Sequence, residues 1–315
     1  MNSLLVASNV VLPLVVLIAV GYATKAVKWI SYESYMQMNK LVFNILLPCV
    51  LFQNVYSASI SELVNIKLVL FGLLSILAVF FCGIPIVRAL TQDDKKRGVA
   101  LQGIFRSNFV LYGLPIVQSM YSRERLASTT FLISMIVPLF NILAVVALEM
   151  FRNESGKVNV GKILFNIIRN PLIIGTALGI LCSALRVEFP QIVQHSLDNL
   201  TSAATPIALI ILGGTFQRQT LGENRRLLAA IASLKLVAVP AVFLGAALLL
   251  GFRDVELLAF VALFGSPAAV SSFSMAQQMG GDSELAGQNL LITTVASVFT
   301  IFLWVSVLNH FAFLR

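Results

Sequence analysis

Residues 107–115 read Ser-Asn-Phe-Val-Leu-Tyr-Gly-Leu-Pro, and residues 264–272 read Phe-Gly-Ser-Pro-Ala-Ala-Val-Ser-Ser. Each stretch lies in the middle of a long apolar block, and each places glycine and proline where a helix would otherwise run on. Proline removes a backbone donor and crowds the preceding turn, while glycine lets the chain open, so both stretches are expected to break their helices. Carbonyls and amides freed inside hydrocarbon need partners, which protein, water or a bound solute can supply. The pattern predicts two interrupted membrane helices, with Gly113 and Pro115 in the first and Gly265 and Pro267 in the second.

The chain around these stretches fits a lipid solvent. Hydrophobic residues make up 58% of the 315 and charged residues only 11%, against roughly 45–50% and about 25% in ordinary soluble domains. With charged residues as fences, ten spans are read near 5–24, 41–57, 68–87, 98–121, 127–148, 167–185, 200–217, 228–250, 257–278 and 286–309. A hydrocarbon core of about 30 Å calls for blocks of this kind. They are continuously apolar and do not alternate, which excludes a barrel. The fold class is therefore all-α and integral to the membrane. The first block has no basic residue before it and no small-residue cleavage site, so it reads as a first span and not as a signal peptide.

Lys and Arg are retained on the cytoplasmic side during insertion. Counted by loop, sixteen fall after the odd-numbered spans, Arg106 and Lys235 among them, and six fall on the other side. Both termini are thus expected outside, with the protein in the cytoplasmic membrane. The formal charge of +8 is spread between the apolar blocks and forms no basic face or tail, so a nucleic-acid partner is not indicated.

The chain also repeats itself. Pro13 and Gly21 of span 1 recur as Pro171 and Gly179 of span 6, an offset of 158 residues, and the same offset takes Pro48 and Leu51 to Pro206 and Leu209. Pro85 has a near-counterpart in Pro240, and Pro115 in Pro267. Two five-span halves follow, 1–150 and 163–315, joined by a short cytoplasmic linker at 151–162. An odd number of spans per half makes the repeat inverted. Inverted repeats are common in alternating-access transporters, whose sites lie near the midplane where interrupted helices meet. A duplicated scaffold that transports nothing remains the alternative.

If spans 4 and 9 cross at their breaks, the starts of their second halves would bring free N–H groups and partial positive charge to one point, which suits an anion. Ser107, Asn108, Tyr112, Gly113 and Pro115 from span 4, with Gly265, Ser266, Pro267, Ser271 and Ser272 from span 9, are the candidate substrate-binding residues. These side chains bring hydrogen-bonding capacity without a fixed charge. The competing reading is that the prolines only kink their helices and the serines bond to their own backbone. Asn44 and Thr205 stand near matched prolines and either line the same cavity or join helices. The fourteen Asp and Glu residues all fall at or near span ends, which argues against an acidic cation site at the midplane.

No catalytic constellation, nucleotide-binding loop or dinucleotide turn is present in a suitable context, so neither an enzyme nor a cofactor is expected. Cys49, Cys82 and Cys182 are scattered in apolar blocks without metal-ligand spacing, and His195 and His310 lie outside the spans. No metal site is read.

The stretches 43–51 (FNILLPCVL), 108–116 (NFVLYGLPI), 170–172 (NPL) and 266–276 (SPAAVSSFSMA, followed by Gly-Gly-Asp) resemble the auxin efflux carrier family, bacterial relatives of the plant PIN-FORMED transporters. The resemblance runs along essentially the whole chain. It implies ten helices with helices 4 and 9 crossing, an architecture like that of bile acid/sodium symporters and sodium/proton antiporters. It further implies a homodimer and the export or exchange of small organic anions such as auxin-like acids, malate or malonate, with Asn108 at the substrate carboxylate. The sequence departs from the plant carriers in lacking their long central loop and in having Ala268 and Ala269 after Pro267, which leaves the substrate open. A cation-coupled symporter of another solute and a non-transporting membrane receptor or scaffold are the competing functions.

Overall fold

The computed structural model describes residues 2–57, 65–122, 126–152, 160–217 and 221–314. Most of the expected linker at 151–162 lies outside the described residues, as do Arg123, Arg125, Lys157, Arg218 and Arg315 of the charge count. Among the described residues every regular element is helical. In chain order they are α1 (Asn2–Ala26), α2 (Tyr32–Leu41) continuing through a π-turn at Val42–Leu46 into α3 (Leu47–Tyr56), α4 (Ile66–Leu90), α5 (Asp94–Phe105), α6 (Phe109–Gln118), α7 (Ala127–Met150), α8 (Val160–Ile168), α9 (Pro171–Ala184) and α10 (Gln191–Thr215). There follow α11 (Leu221–Ser233), continuing through a second π-turn at Leu234–Ala238 into α12 (Val239–Leu249), then α13 (Asp254–Gly265), α14 (Ser271–Gln278) and α15 (Ser283–His310).

Among the described residues six helices are long and apolar enough to cross a membrane: Tyr32–Tyr56, Ile66–Leu90, Ser128–Met150, Gln191–Thr215, Gly222–Leu249 and Ser283–His310. Polar residues at the fences cap three of these and the shorter α5 and α9. Ser31, Asn65, Asp93, Asn170 and Asp282 each accept a hydrogen bond from a first-turn N–H of the helix that follows, satisfying donors that have no partner within the helix. Large apolar side chains such as Leu74, Phe81, Val242, Leu249 and Phe299 are exposed on the outside. Such a surface is stable against lipid and not against water.

The helices sort into two groups. In the first, α1 packs along α10 and α3 along α9, and both pairs approach through glycine. Gly21 lies against the backbone of Ile210 and Gly213 against that of Ile18, so a Cβ at either position would overlap the facing carbonyl. A Cβ at Gly175 or Gly179 would come within 2.6 Å of the carbonyl oxygen of Pro48 or Phe52. Close backbone approach through small residues replaces the hydrophobic drive that is missing between helices in lipid. In the second group α4, α7, α12 and α15 surround the interrupted helices α5/α6 and α13/α14. α13 is buried from Leu257 to Gly265, and its rings interlock with neighbours, Phe260 lying 4.9 Å from Phe71 and Phe264 5.2 Å from Phe243.

Candidate functional site

Both sequence-predicted breaks are present. The first runs through Arg106, Ser107 and Asn108, between α5 and α6, and the second through residues 266–270, between α13 and α14. They meet, because the Asn108 N–H donates to the Pro267 carbonyl across 2.8 Å. Pro267 lies in its break as expected. Pro115 does not: it sits inside α6, seven residues beyond Asn108. Arg106 is extended, with φ −85° and ψ 124°, and the first break is held by tertiary bonds.

The largest difference from the sequence reading is a pair of cations. Arg106 and Lys235, both assigned to loops in the charge count, are 3% and 1% exposed. Without them the count stands at fourteen against six and keeps its direction, but the break is no longer free of fixed charge. The Arg106 guanidinium donates to Asn141 Oδ1 on α7, to Ser271 Oγ across 2.8 Å and, more distantly, to Ser272 Oγ and Gln102 Oε1 at 3.4 Å, with Met275 Sδ at 2.8 Å. All of these partners are neutral. Lys235 lies in the π-turn ahead of α12 and donates from Nζ to Ser107 Oγ, which donates in turn to the Leu263 carbonyl. The ion pairs Arg97–Asp94 and Arg152–Glu149 lie elsewhere, and among the described residues neither Arg106 nor Lys235 pairs with a carboxylate. A buried cation without a counter-charge is costly, and in a membrane it marks a working position.

Beside the meeting of the two breaks lies a cavity of about 120 Å³. Asn54, Arg106, Ser107, Asn108, Asn141, Thr205 and Ser271 are its polar lining residues. Leu47, Leu51, Phe140, Leu172 and Ala208 are among its apolar walls. Asn108 Nδ2 is buried with no partner among the described residues, and its side chain makes no cap bond to α6.

Of the residues singled out from sequence, the structure thus brings Ser107, Asn108, Ser271 and Thr205 to the cavity, with Pro267 and Ser272 bonded at its edge. The others lie away from it. Tyr112 and Ser266 are fully buried, Ser266 donating to the Ala262 carbonyl. Gly113 packs under Phe109 and Ile133, and Gly265 approaches Ile301 and Trp304. Asn44 is exposed and donates to the Lys40 carbonyl, so it does not line the cavity. Arg106, Asn141 and Lys235 are polar residues that the sequence reading missed, as is Asn54 of the cavity lining, in the span at 41–57. Their signal was present, since each falls inside a span as drawn, at 98–121, 127–148 and 228–250.

Comparison with known proteins agrees with the membrane reading. The family described as membrane transport protein matches residues 6–305. A protein of Methanothermobacter thermautotrophicus named "Uncharacterized transporter" is 22% identical over 307 residues, covering 96% of this chain and 98% of the relative. A protein of Methanocaldococcus jannaschii with the same description is 25% identical over 313 residues, covering 95% and 98%. A third, from Rhizobium meliloti and named "Putative malonate transporter", is 34% identical over 134 residues, 42% of either chain.

Proposed function

The chain belongs to the membrane transport protein family, and from that premise we propose that it carries small organic anions, carboxylates of a few carbons, through the cavity beside the two crossing breaks. The observation that carries the reading is the Arg106 guanidinium, buried at the cavity and held only by neutral side chains. A carboxylate entering the cavity can take two of its N–H groups in a charge-assisted pair, the strongest hydrogen bonds available to it. Asn108 Nδ2 offers a further donor, and the apolar walls accept the carbon skeleton. Malonate and malate are the first candidates, in line with the name of the Rhizobium relative.

The same reading takes the chain as two inverted halves, 1–150 and 163–315. The glycine crossings support it: Gly21 against Ile210 and Gly179 against Phe52 are one contact shifted by 158 residues at both partners. An inverted pair of halves has two ways to pack, related by a pseudo-two-fold axis in the membrane plane, which is the basis of alternating access. The group holding both breaks then shifts against the pair α1/α10 and α3/α9. Ten crossings, both termini outside the cytoplasmic membrane, and a homodimer complete the proposal.

Uptake of radiolabelled malonate, malate and indole acetate into proteoliposomes tests it. Saturable uptake of the smaller acids is expected. No flux of any carboxylate by folded protein would overturn it.

A further inference from the structure

Lys235 is the buried titratable group that the carboxylate reading leaves unused. It does not line the cavity. Its described bond is to Ser107 Oγ, whose own hydrogen is committed to the Leu263 carbonyl, so the lysine is the donor. Ser107 follows Arg106 directly, which places two cations at one break. The acidic residues of the neighbouring elements stand at the far ends: Asp94 in the first turn of α5, Glu223 in that of α11, Asp254 and Glu256 in that of α13, Glu284 in that of α15, and Glu149 at the end of α7. The twelve helical residues from Asp94 to Arg106 correspond to about 18 Å.

Resting on the carboxylate reading, we propose that this protein is an exchanger, whose site crosses the membrane readily only when a dianion neutralises the joint charge of Arg106 and Lys235. On this proposal both side chains stay protonated, so the empty site carries two positive charges that no carboxylate among the described residues offsets, and moving net charge through hydrocarbon is costly. With a small dicarboxylate bound, the sum is zero. Reorientation of the loaded carrier is then fast and indifferent to membrane potential, whereas return of the empty carrier is slow and moves two charges. Lys235 never touches the solute, and its role is to set that sum.

The test measures radiolabelled malonate entering proteoliposomes preloaded with unlabelled malonate or with buffer alone, at imposed potentials of either sign. For the unmodified protein, exchange should exceed net uptake at least tenfold and ignore the potential, and net uptake should rise when the interior is positive. In Lys235→Met the loaded carrier holds one negative charge, so exchange should become potential-dependent and the tenfold gap should narrow. Lys235→Arg keeps the charge and should keep the gap. Net uptake as fast as exchange in the unmodified protein overturns the exchanger while leaving the carboxylate site standing. Failure of malonate and malate to move in either mode overturns the carboxylate site, and the exchanger with it. If Lys235→Met does not fold, the comparison in the unmodified protein decides alone.

Discussion

Replacing Arg106 with Gln gives the sharpest test of the site. A carboxylate paired to the guanidinium exchanges its bonds to Asn141 and Ser271, which are already hydrogen bonds to a charged group, for bonds to an opposite charge, and truncating one partner of such a buried charge pair costs about 2–5 kcal/mol. Because the guanidinium gives up its present bonds, the lower end of that range, about 2–3 kcal/mol, applies. At about 1.4 kcal/mol per tenfold, malonate should bind roughly 30- to 150-fold more weakly to Arg106→Gln. Glutamine retains an amide that can reach Asn141, and the change removes a buried charge with no counter-ion, so the melting temperature should hold or rise. The assay is calorimetric binding to purified protein, with malonamide as the neutral analogue whose affinity should be unaffected. A folded variant that binds malonate as tightly as the unmodified protein refutes the reasoning.

Asn108→Ala removes a donor to the anion without uncapping α6; malonate affinity should fall about tenfold or more, as for a hydrogen bond to a charged group, with melting unchanged. Gly21→Val puts a branched side chain against the Ile210 carbonyl and should cost about 1–3 kcal/mol of stability. Gly245→Ala, with nothing within 4 Å of the added carbon, should be neutral or slightly stabilising in the same unfolding assay. On a background lacking Cys49, Cys82 and Cys182, a cysteine at Ser31 should label only from the cytoplasmic side and one at Glu188 only from outside; the reverse pattern would invert the topology.

The breaks were legible because glycine and proline punctuate otherwise uniform apolar blocks, and the second break falls where Pro267 predicts. The first does not follow from Pro115, which α6 tolerates in its interior. The chain opens seven residues earlier, at Arg-Ser-Asn, a triplet with no local breaker. It is held open by the Asn108–Pro267 bond and the reach of Arg106 to α7 and α14. Contacts of that range leave no mark in local sequence. The cations were hidden by the loop-by-loop charge count, which credited Arg106 and Lys235 to the nearest loops although both fall inside spans as drawn. The absence of an acidic residue nearby, read as arguing against a cation site, was equally compatible with an uncompensated positive charge. Asn44 shows the opposite error: a polar residue beside a matched proline drew notice, yet it turns back to Lys40.

The proposed duplication explains the frame but not the chemistry, because the charged residues lie where the halves differ. Shifted by the 152 residues that relate Pro115 to Pro267, Arg106 falls on Leu258 and Asn108 on Phe260, and the offset of 155 that relates Pro85 to Pro240 sets Lys235 opposite Phe80. Neither cation has a charged counterpart. On the proposed reading the frame has two equivalent ways to pack while offering a single anion site, at the cavity lined by Arg106 and Asn108 of the first half and Ser271 of the second. Titration of the purified protein with malonate should accordingly saturate at one anion per chain, and Arg106→Gln should weaken that single transition without uncovering another. Two anions per chain of comparable affinity would mean that the repeat extends to the binding chemistry, and that the charge asymmetry between the halves does not determine where the anion sits.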